Sequence, residues 1–377
     1  FLLRFVCFPS MVAPMIRRLL LATLCLTTSS QVFAQGDAIF KKWDKNGDGF
    51  LEKDEVPEGP RKIFDQKDKN GDGKISLEEH KSPPGKMNRP PQPERPDRPT
   101  PPSAGGSAFT INQTWHQEPQ GYDRPVYVAE PQTKKAGTPI VIHFHGNGGS
   151  AERTPNSWSR HLPDHLIVAP QGYERSWNIQ GEKSLAPDVE FFRQVVAEVL
   201  ARYPYADKNK VSLVGSSNGG AYIYRLLIEV NEPLFQKAVP TVSSLLVAQH
   251  HDEKFWKSKT ETDTETLDVP VEAVDSGRSI LYVHGTDDKV VPFEGGKRFG
   301  KFDHHSAIDT ANILAEHFGY QGPKVELNDG EEITDGLLMH SFGDTPVQFL
   351  AVKDGNHGLA PHREAAQKVI IDFIRGN

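Results

Sequence analysis

From residue 108 onward, short apolar runs alternate with longer segments in which apolar residues recur every three or four positions. The runs at 140–144 (IVIHF), 166–172 (LIVAPQG), 210–214 (KVSLV), 237–244 (KAVPTVSS), 279–288 (SILYVHGTDD) and 347–352 (VQFLAV) are largely β-branched and apolar. That is the composition of strands covered on both faces. Segments 187–203, 221–230, 306–318 and 362–374 carry helical spacing. Strand alternating with helix predicts an α/β fold, a mostly parallel central sheet flanked by helices, after two short strands within 109–130.

Ahead of this unit the pattern changes twice. Residues 83–107 contain PPGKMNRPPQPERPDRPTPPSAGGS, with almost nothing to bury. Such proline density makes an extended, semi-rigid tether. Residues 35–82 hold two twelve-residue loops. In the first, Asp44, Asn46, Asp48 and Glu55 supply side-chain oxygens and Phe50 a carbonyl; in the second, Asp68, Asn70, Asp72 and Glu79 do so with the carbonyl of Lys74. Oxygens at positions 1, 3, 5, 7 and 12, with Gly49 and Gly73 at position 6, are the pattern of an EF-hand loop. Calcium, a hard cation, is the expected structural ion. Leu51 and Ile75 at position 8 would let the loops pair, over a small core of Ile39, Phe40, Trp43, Ile63 and Phe64. What this helical EF-hand pair docks to is not encoded in its residues.

Residues 1–34 read as a removable leader with residues upstream of it: Met15, Arg17 and Arg18 precede LLLATLCL, and Val32–Phe33–Ala34 ends in a small residue before Gln35. The apolar stretch is too short for a membrane span. The expectation is a secreted or periplasmic protein. Both cysteines, Cys7 and Cys25, fall in that leader, so the remaining chain has no thiol to crosslink.

The chemistry centres on 210–221, KVSLVGSSNGGA, where Gly215, Ser217 and Gly219 complete G-x-S-x-G. A strand that turns this tightly into a helix admits only small residues and lifts the serine hydroxyl out of the sheet. Ser217 is the candidate nucleophile, and the amide of Asn218, at the start of the helix, a candidate oxyanion donor. The glycine-rich loop after 140–144, His145–Gly146–Asn147–Gly148–Gly149, offers the amide of Asn147 as the second donor. Partners of the serine belong in loops after later strands. Asp288 follows the 279–285 strand, with Asp287 as its rival, and His357 lies in VKDGNHGLA between the last strand and the last helix. The order serine, acid, histidine is that of the α/β-hydrolase triad.

Composition narrows the functional classes. A formal net charge of −7, with no long basic stretch, argues against nucleic acid or an anionic membrane as partner. His143, His145, His250, His251, His304 and His305 lack a metalloprotease helix or a convergent third ligand, so no catalytic metal or other catalytic cofactor is expected.

Taken together, HFHGNGGS, APQGYERSWN, PDVEFFRQVV, VGSSNGGAYIYRL, HGTDDKVVPFEGG and GNHGLA make residues 108–377 resemble the secreted esterases that include polyhydroxybutyrate depolymerase-like proteins, feruloyl esterases and acetylxylan esterases. The resemblance implies an α/β-hydrolase fold and hydrolysis of carboxylic esters, polymeric ones included, through an acyl-enzyme: Ser217 attacks, His357 serves as base and then acid, and Asp288 orients it. Asn147 stands where that family often carries cysteine, and Gly358–Leu359 lack its usual aromatic. Both departures bear on the substrate, as do Tyr173 and Trp177, candidates for lining the pocket. A peptidase on the same fold and a non-catalytic calcium-dependent binding protein are the alternatives.

Overall fold

The computed structural model describes residues 39–57, 61, 64–68, 72–81, 107–182, 184–271, 277–298 and 302–376. The expected leader, nearly all of the proline-rich tether, Ile63 and the expected calcium ligand Asn70 lie outside the described residues. The chain divides into two compact units, Phe1–Thr100 and Pro101–Asn377.

In the first unit, Phe50–Leu51 pairs antiparallel with Ile75–Ser76, setting Leu51 opposite Ile75. Phe40, Leu51, Val56, Phe64 and Ile75 form its small core, with Trp43 packed against them. Ile39, expected in that core, is instead exposed. One face of the helical segment 39–43 turns inward, and Phe40 and Trp43, three positions apart, occupy it.

The second unit is built on ten strands: β1 (Ser107–Trp115), β2 (Glu118–Ala129), β3 (Thr138–Phe144), β4 (Leu166–Pro170), β5 (Ala206–Ser216), β6 (Lys237–Thr241), β7 (Ser279–Gly285), β8 (Glu331–Thr334), β9 (Leu337–Ser341) and β10 (Val347–Val352). Their order across the sheet is β1-β2-β4-β3-β5-β6-β7-β10-β9-β8. From β4 to β10 every neighbouring pair is parallel, and antiparallel strands close both ends. The principal helices are α1 (Asp188–Arg202), α2 (Asn218–Glu229), α3 (Ala307–His317) and α4 (Arg363–Arg375). This is the α/β-hydrolase fold.

Two separate apolar layers explain why the central strands lack the usual apolar-polar alternation. Ile140, Ile142, Leu213, Ile280 and Tyr282 face the core that holds α1, α2 and α3. Their sequence neighbours Val141, Val214, Leu281 and Val283 face the core under α4. Successive side chains leave a strand on opposite faces, so a strand buried on both must be apolar throughout. Between β6 and β7 the chain makes an excursion containing a small antiparallel sheet, His250–His251, Lys254–Lys257 and Val269–Val271, which the apolar pattern did not predict.

Candidate active site

Ser217 sits between β5 and α2 with φ 56° and ψ −121°, a conformation that is costly for any residue with a Cβ. Packing enforces it. A Cβ on Gly215 would collide with the Gly219 carbonyl, and one on Gly219 with the carbonyls of Phe144 and His145. The turn is therefore pressed against the end of β3, where Gly146 lies beside Ser217. Ser217 N–H donates to the Thr241 carbonyl at 2.9 Å, which ties the turn to the end of β6.

The loops after β6, β7 and β10 are stitched in the same way. Val242 N–H donates to the Val283 carbonyl (2.8 Å), Thr286 N–H to Val352 (2.9 Å) and Asp287 N–H to Gly355 (2.9 Å). Parallel strands with this register bring the residues that follow them to one carboxyl edge. Asp288 and His357, 69 residues apart, meet there: His357 Nδ1 lies 2.8 Å from Asp288 Oδ2. Since a carboxylate accepts, Nδ1 carries the proton and Nε2 is the basic nitrogen. Asp287, the rival acid, points into solvent and pairs with Lys289.

Asp288 is buried, and its Oδ1 accepts from the amides of Val290 (2.8 Å) and Val291 (3.1 Å). Burial works to raise its pKa, but the nearby His284 ring and hydrogen bonds from His357 and the Val290 amide outweigh that and hold the carboxyl well below the usual range. It is a fixed negative charge behind His357. Among the described residues the Ser217 hydroxyl has no hydrogen bond to His357. Catalytic hydrogen bonds are often long without substrate and tighten when it binds.

Asn147, Ser217 and Asn218 line a single cavity of about 360 Å³. The Gly148 amide donates to the Arg175 carbonyl in the loop after β4, and the Gly149 amide to the Gly146 carbonyl. The amide of Asn147, and that of Asn218 in the first turn of α2, have no acceptor among the described residues. His145 braces this loop: its Nε2 accepts the Gly172 N–H at 3.0 Å, so Nδ1 donates to the Gly146 carbonyl at 2.8 Å. Burial lowers its pKa and favours this neutral form. The Asn218 side chain accepts from Trp177 N–H at 2.7 Å and fastens the loop after β4 to the elbow.

Trp177 does not line the cavity. It is fully buried, stacks on Tyr222 at 4.7 Å and donates Nε1–H to the His145 carbonyl. Its contribution is to hold the glycine-rich loop that begins at His145 in place. Tyr173 packs instead with Trp115 and Tyr122, and its hydroxyl donates to Glu118. The cavity walls come from Ile179, Ala221, Leu246, Val290 and Phe302, with Glu182 and His304 as polar lining.

Sequence reasoning missed a buried ion pair beneath this loop. Arg124 on β2 and Asp188 at the start of α1 lie 2.6 Å apart with no exposure of either side chain. Asp188 Oδ2 also accepts from Asn178 N–H, next to Trp177. Nothing local pairs residues 64 positions apart; the one signal was an arginine within an otherwise strand-like run.

In the first unit, Glu55 Oε1 accepts from the amides of Lys45 (2.9 Å) and Asn46 (3.2 Å), and Oε2 from Glu52 (3.0 Å), so position 12 closes back on the start of its loop. Asp44 accepts from Gly47 and Gly49, and Asp48 from Phe50. In the second loop Asp68, Asp72 and Glu79 accept from Gly73, Lys74 and Ser76. Gly49 (φ 82°) and Gly73 (φ 84°) provide the left-handed turn. Among the described residues no three His, Cys, Asp or Glu side chains converge as a preformed metal cluster; these carboxylates face the loops' own amides. The donor set, all oxygen and charged at Asp44, Asp48 and Glu55, fits a hard dication.

The fold and its carboxyl edge thus define an α/β-hydrolase scaffold with a serine elbow. The family model for the prolyl oligopeptidase family matches residues 171–302, and the EF hand model matches 37–56 and 61–79. Similar solved structures include an acetyl xylan esterase from Aspergillus awamori, 16% identical over 71% of this chain and 100% of that one, TM-score 0.47. Est1E from Butyrivibrio proteoclasticus is 12% identical over 71% of this chain and 98% of its own, TM-score 0.40. A Pyrococcus horikoshii acylaminoacyl peptidase is 14% identical over 72% of this chain, TM-score 0.43; the match spans 41% of its length.

Proposed function

We propose that the protein is an exported serine esterase that hydrolyses carboxylic esters through an acyl-enzyme, with a calcium-binding EF-hand pair at its N-terminal side. The observation that carries the reading is the 2.8 Å contact between His357 and an ionised, buried Asp288, at the strand edge that also holds Ser217 in its strained turn. Ser217 Oγ attacks the acyl carbon while His357 Nε2 takes its proton. The oxyanion is held by the amides of Asn147 and Asn218, the alcohol leaves with the proton from His357, and water repeats the sequence to free the acid.

The apolar walls of the 360 Å³ cavity suit a compact acyl or aromatic group. With the resemblance noted above, this favours a polyhydroxyalkanoate or an esterified polysaccharide as substrate. Calcium would be held by the oxygens of Asp44, Asn46, Asp48, Phe50 and Glu55, and by those of Asp68, Asn70, Asp72, Lys74 and Glu79. When bound it supplies charge neutralisation that lets the loops close.

The test is turnover of purified protein on hydroxybutyrate oligomers, feruloylated sugars and acetylated sugars. Hydrolysis of one class, lost in Ser217→Ala, supports the reading; no hydrolysis of any ester rejects it. The prolyl oligopeptidase match over 171–302 favours a peptidase as second reading, and cleavage of peptide but not ester substrates would select it.

A further inference from the structure

We propose that His284 is a positioning residue for the Asp288–His357 pair, the last link of a fully buried chain of hydrogen-bond donors that starts at Ser244 and ends at the Val291 carbonyl, beside the carboxylate. Ser244 Oγ lies 2.9 Å from Tyr282 Oη, and Tyr282 Oη lies 2.6 Å from His284 Nδ1. His284 Nε2 stands 3.0 Å from the Val291 carbonyl and 3.5 Å from Asp288 Oδ2. Ser244, Tyr282 and His284 are all inaccessible to solvent. Nothing in the hydrolytic cycle above uses them.

The direction of the chain follows from its ends. His284 Nε2 faces a carbonyl and a carboxylate, neither of which can donate, so Nε2 carries the proton. In a neutral ring Nδ1 is then an acceptor and Tyr282 must donate to it. Burial raises the Tyr282 pKa far above its ordinary value, which keeps that O–H in place. Tyr282 can in turn accept only from Ser244. Every proton points toward Asp288.

Asp288 Oδ2 therefore has two imidazoles beside it, His357 on the reactive side and His284 behind. His284 also fixes the Val291 carbonyl, and Val290 and Val291 are the residues whose amides hold Asp288 Oδ1. One ring thus anchors both the acid and the loop that carries it, and it draws off part of the charge that would otherwise act on the His357 proton. A catalytic group must stand within about half an ångström of its productive place. The titratable groups around this chain and the pair it serves are His304, beside Ser244 and His284, His143 and Arg363, which share a cavity with His357, and, next to Asp288 in sequence, the paired Asp287 and Lys289.

The inference rests on the esterase reading, and its test is kinetic. In the full chain, His284→Leu, His284→Gln and Tyr282→Phe are compared with wild type for kcat, KM, the pH profile of kcat/KM on a short-chain nitrophenyl ester, and thermal unfolding. His284→Leu is expected to lower kcat about 10- to 100-fold with KM within about two-fold. It should also move the acid limb upward, because an Asp288 freed of one donor pulls harder on the His357 proton. His284→Gln, whose amide N–H can replace Nε2–H, should recover most of the loss. Tyr282→Phe should change kcat in the same direction by less. A folded His284→Leu with wild-type kcat and limb overturns the proposal, as does equal loss in His284→Leu and His284→Gln with the limb unmoved, which is the signature of packing alone. Should His284→Leu not fold, unchanged kcat and limb in Tyr282→Phe overturn it. Wild-type protein without ester turnover defeats the esterase reading and this inference together; wild-type turnover indifferent to these variants defeats only the inference.

Discussion

Asp288 and His357 come from loops after two neighbouring parallel strands, β7 and β10, and share a 2.8 Å hydrogen bond in which the buried carboxylate fixes the proton on Nδ1. The relationship discriminates between two adjacent acids. Asp288→Asn removes the charge behind the imidazole and permits the wrong tautomer, so kcat should fall by roughly 10³–10⁴. Asp287→Asn removes only an exposed partner of Lys289 and should leave kcat within about two-fold. Steady-state kinetics of the two variants checks both.

The buried pair Arg124–Asp188 makes a separate prediction about stability. Asp188→Ala strands a fully buried guanidinium and frees Asn178 N–H beside Trp177. Loss of one partner of a buried pair costs about 3–5 kcal/mol. Because Trp177 braces the His145 carbonyl, activity should fall at temperatures where the variant is still folded. Denaturant unfolding and kinetics on one preparation measure the two effects.

Acidification should weaken the fold in two ranges. His143 is held at about 4 by burial, with the charge of His145 adding to it, whereas an unfolded histidine titrates near 6.5. As pH falls from about 6.5 to 4 the unfolded chain takes up the proton first, so stability drops, by up to about 3 kcal/mol for this one group. His143→Phe should flatten that part of the profile. Asp288 acts with the same sign in a lower range: its folded pKa is also depressed, so its contribution is complete above about pH 4 and is lost only below that. Melting temperature against pH, for wild type and His143→Phe, separates the ranges.

Calorimetric titration of the full chain with calcium should show two sites, with dissociation constants of roughly 0.1–1 mM if they resemble those of extracellular modules. Glu55→Gln removes one of the charged oxygens at position 12 and should leave a single site of unchanged affinity. Two unaltered sites in that variant would mean that Glu55 is not a ligand.

How much of this was legible in the chain differs from residue to residue. The central strands were readable because burial on both faces leaves them few polar positions, as Ile140–Ile142 and Leu166–Ala169 illustrate. Ser217 was readable because its turn demands glycines at fixed offsets. Asp288 and His357 were readable as strand-end loop residues, but not their separation, which depends on the sheet order. The excursion between β6 and β7 escaped because its strands are two to four residues long, too short for a period to appear. His362, read as inside the last helix, stands one position before it and makes no side-chain capping bond. Trp177 could be core or pocket by composition; stacking on Tyr222 decides for core. His284 was hidden because a histidine inside an apolar strand looks like any satisfied core residue until its partners four positions on and two positions back are seen together.

Whether Ser217 is an activated nucleophile is tested most directly by the mass of the intact protein after exposure to a fluorophosphonate, followed by peptide mapping. One phosphonyl adduct per chain is expected, on the peptide containing Ser217, absent from Ser217→Ala and much slower to form in His357→Ala. No adduct, or an adduct that persists undiminished in Ser217→Ala, would contradict it.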